Sequence, residues 1–190
     1  AVRSEPTAQG GKAAGNVINI GLLGLGNVGT GVIALLERNR HLIANRLGCE
    51  VVVKRILVKD LTKPRDAAVV GRITDRVDDI LGDGEISIVV EAIGGEEPAY
   101  SYMKRALSVG KHVVTANKQV IADHGSELTR DAAKAGVSLM FEASVGGGLP
   151  VIRPIQECLA ANEMTSVMGI LNGTTNYILT QMDERGIGLD

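Results

Sequence analysis

The sequence predicts an α/β protein with a doubly wound, Rossmann-like parallel sheet, followed by the start of a second, α+β domain, and three observations carry that prediction. Short apolar runs alternate with amphipathic stretches along the chain. The apolar runs are hydrophobic on both faces, as strands covered by helices on both sides must be. The first run leads through a glycine turn directly into a helical pattern.

Taken in order, residues 1–15 (AVRSEPTAQGGKAAG) show neither helical nor strand period and begin with Ala. They are expected to be a disordered tail or the product of a cut. From Asn16, VINIGLL reads as a buried strand, GLGNVG as a turn, and the following stretch as a helix with Val28, Val32, Leu35 and Leu36 on its apolar face. A second strand is expected at Val51–Val58, closed by a Pro-containing loop through Thr62–Asp66. A short amphipathic stretch at Asp75–Leu81 and a turn at Gly82–Gly84 lead to a third strand at Ile86–Val90. Pro98 reads as a first-turn proline, with Glu96 and Glu97 beside the positive helix end, and this helix should stop near Gly110. HVVTA is a fourth strand, Gly125–Lys134 a helix ended by Gly136, and VSLMFEA a fifth strand. Beyond it, Pro150–Ala161 reads as helix, Met164–Leu171 as strand, and Thr174–Glu184 as a helix with Tyr177, Ile178 and Met182 on one face. The expected organisation is a dinucleotide-binding domain over residues 16–149 and the beginning of a truncated catalytic domain over 150–190.

Composition narrows the function classes. The 190 residues hold one Phe, three Tyr and no Trp, so the aromatic faces on which single-stranded nucleic acid stacks are missing. Twenty basic against 22 acidic residues give no polycationic field for phosphate backbones or anionic lipid, so neither a nucleic acid nor a membrane is an expected partner. No apolar stretch reaches the roughly 20 residues that span a bilayer. Cys49 and Cys158 make no disulfide framework and no zinc spacing, which fits a reducing, cytoplasmic compartment. Cys158 is expected to pack inside its helix rather than act as a nucleophile. The three histidines, His41, His112 and His124, share no ligand spacing.

Gly24-Leu25-Gly26-Asn27-Val28-Gly29 is the strongest local signal because it sits between a strand and a helix. Gly24 permits the tight turn, Gly26 lets backbone approach a pyrophosphate, and Gly29 lets helix pack on strand, while the helix start offers free N–H groups to the anion. The acidic residue that usually holds the ribose 2′-hydroxyl, about 20 residues on, has an imperfect counterpart in Asp60. Lys59, Lys63 and Arg65 surround it, a set that suits a 2′-phosphate, and hence NADP over NAD. The same residues also read as a solvated loop. EAIGG at 91–95 and TANK at 115–118 end the third and fourth strands, where ligands of open α/β sheets bind, which brings Ile93, Gly94 and Lys118 forward as cofactor contacts. The glycine run Glu142-Ala143-Ser144-Val145-Gly146-Gly147-Gly148-Leu149-Pro150 reads from its spacing as an interdomain hinge before a ligand-binding loop.

Together GLLGLGNVGTGV, EAIGG, KHVVTANK, FEASVGGGLP and MGILNGTTNYIL, in this order, resemble homoserine dehydrogenases, in the monofunctional bacterial form, from about Asn16 to the end. The resemblance implies reversible NAD(P)-dependent interconversion of L-homoserine and L-aspartate 4-semialdehyde, in threonine, methionine and isoleucine biosynthesis. It implies backbone contacts to the cofactor at Leu25, Asn27 and Val28, a contact at Ile93, and Lys118 at the nicotinamide end, in a supporting catalytic role. It further implies a monovalent cation, sodium, held by Glu142, Val145, Gly147 and Leu149, which raises the ligand reading of the glycine run above the hinge. Gly173 and Thr174 fall where the family's substrate site begins. The family's main proton-delivering lysine and substrate carboxylates are expected downstream of Asp190, so the chain reads as a fragment, and the intact enzyme as a homodimer. The rival from another class is a stand-alone dinucleotide-binding module that senses redox state and regulates a partner. An acylating aldehyde dehydrogenase would want a cysteine at the start of the last helix, where Thr174 and Thr175 stand.

Overall fold

The computed structural model describes residues 17–170 and 172–188. The tail expected over residues 1–15 lies outside them. The chain divides into two compact units, one ending at Ile88 and one beginning at Val89. Strands β1 (Val17–Leu23), β2 (Glu50–Leu57), β3 (Ile73–Thr74), β4 (Ile86–Glu91), β5 (His112–Thr115) and β6 (Leu139–Met140) form a six-stranded sheet of order β3-β2-β1-β4-β5-β6. That order belongs to the doubly wound class the sequence predicts, with β3 added to the five expected strands.

In the first unit, β1 pairs in parallel with β2 from Val17 opposite Glu50 to Leu23 opposite Leu57, with a bulge between Ile20 and Gly21. β2 pairs in parallel with β3 through Ile56–Ile73 and Leu57–Thr74. Helices α1 (Asn27–Arg38), α2 (Arg40–Leu47), α3 (Ala67–Val70) and α4 (Asp78–Leu81) complete this unit. Its buried aliphatics include Leu22, Leu23, Val53, Ile56, Leu57 and Ile80. Fully burying each such side chain is worth about 1.5–3 kcal/mol. Outside this core, Lys54 of β2 bridges Asp83 and Glu85 at 2.6 Å each.

The face of α1 differs from the expected one. Gly29 and Ile33 are buried, Val32 and Leu36 are half-buried, and Val28 and Leu35 are exposed. The glycine sets this rotation: having no side chain, Gly29 packs closest, and the stripe follows Gly29, Ile33 and Leu36 at i, i+4, i+7.

In the second unit, α5 (Ala99–Ser108) buries Ala99, Met103, Ala106 and Leu107, a spacing of three to four residues that one helical face requires. It packs against α6 (Lys118–Ala135), which buries Val120, Leu128 and Ala132. β5 and β6 pair in parallel at Val113–Leu139 and Val114–Met140. Pro98 lies at the N-cap of α5, one position before the expected first turn. α6 starts at Lys118, well before the expected Gly125, because the Asn117 side chain caps it by accepting from the Val120 N–H. The fifth expected strand shortens to β6.

Past Pro150 the expected helix is reduced to a wide π-type turn at Pro154–Cys158, in which the Leu159 N–H donates to the Pro154 carbonyl. Proline supplies no N–H and crowds the preceding turn, so the regular ladder fails there. Cys158 is exposed, not packed as expected. Residues 164–170 of the expected strand carry no ladder pairing, and Met168 stands 98% exposed. A strand needs a neighbour for its backbone groups, and none pairs with it among the described residues. α7 (Gly173–Arg185) forms as expected, with the Asn172 side chain accepting from the Thr175 N–H at 2.9 Å. Among the described residues no helix is long and apolar enough to cross a membrane.

Candidate functional site

The glycine turn of the first unit is built as the sequence spacing requires. Gly24 has φ 97°, a left-handed conformation that glycine adopts without cost, and its N–H donates to the Leu57 carbonyl of β2 at 3.0 Å. A side chain on Gly29 would begin 2.2 Å from the Gly24 carbonyl oxygen, so the absence of one lets α1 close onto the turn. Gly26 is the opposite case: a side chain there would meet nothing within 4 Å, and the residue borders open space. Gly26 is also the N-cap of α1, and no side chain caps that helix start, whereas Asn117 and Asn172 cap α6 and α7. The first N–H groups of a helix have no intrahelical partner. Leu25 is half-buried, and Asn27 and Val28 are exposed around this end. An open, uncapped helix start beside an unobstructed backbone is what a pyrophosphate needs.

Beside the turn lies a cleft of about 380 Å³, lined by Leu25, Thr30 and Ala34 on one side and by Lys63, Pro64 and Arg65 on the other. Its volume is in the range that takes a small ligand. Two of the three cations singled out in the sequence line this cleft. Lys59 is exposed and lies outside the lining. Asp60 accepts from both the N–H and the hydroxyl of Thr62, at 2.8 and 2.7 Å, and the Thr62 hydroxyl foremost holds its carboxyl below the usual carboxylate range. Arg65 is half-buried and donates to the Lys63 carbonyl at 3.0 Å, so the loop holds its own shape.

In the second unit the EAIGG and TANK segments are one hydrogen-bonded assembly. Glu91 is 1% exposed; it accepts from the Ile93 N–H at 2.6 Å and from the Thr115 hydroxyl. The Thr115 oxygen accepts from the Asn117 N–H at 3.0 Å. Asn117 donates to the carbonyls of Ile93 and Gly95 at 3.1 and 2.7 Å. Burial pushes the Glu91 carboxyl up, against the opposing pull of Thr115, Ile93 and Asn117. The sequence signal for this pair was available: an acidic residue closing an apolar strand, and an asparagine before a helical run. The signal is weak, because a carboxylate is rarely buried and an asparagine before a helix is common as a plain cap. Ile93 is half-buried, Gly94 exposed, and Lys118 exposed at the first position of α6.

The glycine run from Glu142 folds back on itself. Gly146 and Gly147 have φ 68° and 63°. The Glu142 carboxylate accepts from the N–H groups of Val151, Ile152 and Arg153, the latter two at 2.9 and 2.8 Å. These bonds, that from Val151 first, hold its carboxyl below the usual range. A carboxyl lowered on folding stabilises above its unfolded pKa, and that stabilisation is lost as pH falls through the lowered folded value. Amide exchange of Val151–Arg153 should therefore lose protection in acid, and Glu142→Gln should lower that protection at neutral pH and remove the acid step. Unchanged protection in the variant would contradict this reading. Among the described residues no three His, Cys, Asp or Glu side chains gather as a metal site. The resemblance's ligand set relies instead on backbone oxygens, and the Leu149 carbonyl turns to within 3.3 Å of where a Gly146 side chain would begin. Gly173 and Thr174 lie exposed at the start of α7.

Comparison with known proteins gives a consistent result. Residues 24–142 match the family model described as homoserine dehydrogenase, NAD binding domain, and residues 150–190 match the one described as homoserine dehydrogenase. A homoserine dehydrogenase of Bacillus subtilis is 45% identical over 166 residues, covering 87% of this chain and 38% of its own length. One of Corynebacterium glutamicum is 42% identical over 183 residues, covering 96% of this chain and 41% of its own. The crystal structure of a homoserine dehydrogenase from Thiobacillus denitrificans superposes with a TM-score of 0.80 at 44% identity, over 90% of this chain and 40% of that one. The chain thus spans about two fifths of the length of these relatives.

Proposed function

Because this chain belongs to the homoserine dehydrogenase family, whose NAD-binding pattern covers residues 24–142, we propose that the protein interconverts L-homoserine and L-aspartate 4-semialdehyde. NAD(P) would carry the hydride. The observation that carries the reading is the open, uncapped start of α1 beside Gly26, within a chain that continues into the family's second pattern. The residues fit a dinucleotide. Gly24, Leu25, Gly26, Asn27, Val28 and Gly29 supply the turn and its N–H groups to the pyrophosphate. Ile93, Gly94 and Lys118 are further cofactor contacts in the same proposal.

Lys118 carries a further argument. A cation at the N-terminal end of an 18-residue helix works against the helix dipole by about 0.3–1 kcal/mol. In the same proposal a bound ligand offsets that cost, and an ammonium there can steady the oxygen whose proton departs as homoserine is oxidised. Its role is supporting. Gly173 and Thr174 open the substrate site in the same proposal, and the domain boundary falls at 149/150. A cytoplasmic homodimer completes it, and the two free cysteines suit that compartment.

A sodium ion held by Glu142 and the carbonyls of Val145, Gly147 and Leu149 belongs to the proposal too. Its support is the backbone freedom of Gly146 and Gly147, since the Glu142 carboxylate already accepts three N–H groups. A melting temperature that rises with sodium chloride but not with choline chloride would support it, and equal responses would oppose it.

NADP preference rests on Lys63 and Arg65 in the cleft, with Lys59 outside its lining. Replacing all three with Ala should weaken NADP by about tenfold or more, the scale of a lost charge-assisted bond, and NAD far less. Equal losses in calorimetry would remove the assignment. Because the family's main proton-delivering lysine and substrate carboxylates are expected downstream of Asp190, the activity itself is tested in the full reading frame that contains these residues, by NADP reduction that depends on L-homoserine. Cofactor binding without such reduction would favour the redox-sensing module.

A further inference from the structure

The Ile93–Gly95 segment has no regular structure of its own, yet every polar bond found for it leads to two side chains. Glu91 takes the Ile93 N–H, and Asn117 donates both protons of its amide to the Ile93 and Gly95 carbonyls. Both side chains are buried. The next residue, Glu96, is bonded at 2.7 Å to His124, nearly two turns beyond Asn117 along α6, and His124 stacks on Tyr100 with ring centres 4.0 Å apart. The segment is therefore moulded against the start of α6, and Lys118 follows Asn117 directly.

We propose that Asn117, braced by the Glu91–Thr115 pair, is the positioning residue that sets the backbone of Ile93–Gly95 and the stance of Lys118 for the nicotinamide half of the cofactor. This rests on the dinucleotide reading above. Asn117 has two separable jobs, since its oxygen caps α6 and its amide protons hold the loop. Asn117→Ser keeps a good cap and removes both donors. Asn117→Asp does the same and sets a charge against the two carbonyls. At Glu91, a Gln keeps an acceptor for the Ile93 N–H, whereas an Ala leaves buried donors without partners.

Adenosine 2′,5′-bisphosphate, which carries only the adenosine half, provides the control. Calorimetric titration of the protein should show NADPH bound at least about tenfold more weakly by Asn117→Ser and Asn117→Asp, the scale of one buried hydrogen bond left unmade. Adenosine 2′,5′-bisphosphate should bind within about twofold of the parent, a difference of only a few tenths of a kcal/mol. Glu91→Gln should recover most of what Glu91→Ala loses. Equal weakening of both ligands, or of neither, would overturn the positioning role even though the protein binds the dinucleotide. A parent that binds neither ligand would overturn the dinucleotide reading itself and this proposal with it.

Discussion

Gly26→Val is expected to fold like the parent and to bind NADPH at least about 100-fold more weakly, a loss of some 2.7 kcal/mol. The two halves of that result come from one geometric fact. A side chain at residue 26 meets nothing within 4 Å, and the backbone, with φ −89°, is one that any residue adopts. Valine is a poorer N-cap than glycine, so stability should fall by less than about 1 kcal/mol, or roughly 3 °C in Tm for a chain of this size. Under the proposed function the same open space receives the pyrophosphate, and two methyl groups would hold it away from the α1 N–H donors. Bonds to a charged group are worth about 1.5–3 kcal/mol each, so losing one or two gives the stated effect. Parental affinity in this variant would place the pyrophosphate elsewhere.

Gly29→Ala, three residues on, is expected to fail in the opposite way. The new methyl would lie 2.2 Å from the Gly24 carbonyl oxygen and 3.1 Å from its carbon. Both are backbone atoms of a turn pinned to β2 by the Gly24–Leu57 bond, so neither can swing aside. Alanine gains up to about 1 kcal/mol of helix propensity over glycine, but overpacking of this kind costs about 3 kcal/mol and wins. The net loss should lower Tm by about 5 °C or more, with NADPH binding weakened as the turn opens. A Tm at or above the parent's would mean that α1 does not pack on the turn as described.

How much of this was legible in the sequence follows from particular residues. The strand–turn–helix unit was, because Gly24, Gly26 and Gly29 each answer a separate local demand. The rotation of α1 was not, because counting apolar residues gives Val28 and Leu35 the same weight as Ile33, while the close approach of Gly29 decides the face. β3 has only Ile73 and Thr74, too short to show a period, and it exists because β2 offers an edge. The start of α6 was hidden by His124-Gly125-Ser126, which resembles a break, although the cap at Asn117 holds the helix through it. At the candidate site, the glycine turn has the local geometry that its spacing predicts, and Lys63 and Arg65 line the cleft beside it. The buried network of Glu91, Thr115 and Asn117 was the part missed. Those residues touch one another through the fold and share no local motif, and only the paired ends of two strands bring them together.

The most direct test of the central claim, that this chain takes a dinucleotide on its first βα turn, is an amide-resolved NMR titration of the isotope-labelled protein with NADPH. Saturable shifts should centre on the N–H groups of Leu25–Gly29 and extend to Lys63 and Arg65. Saturable binding that leaves those amides unmoved, or no binding at all, would contradict it.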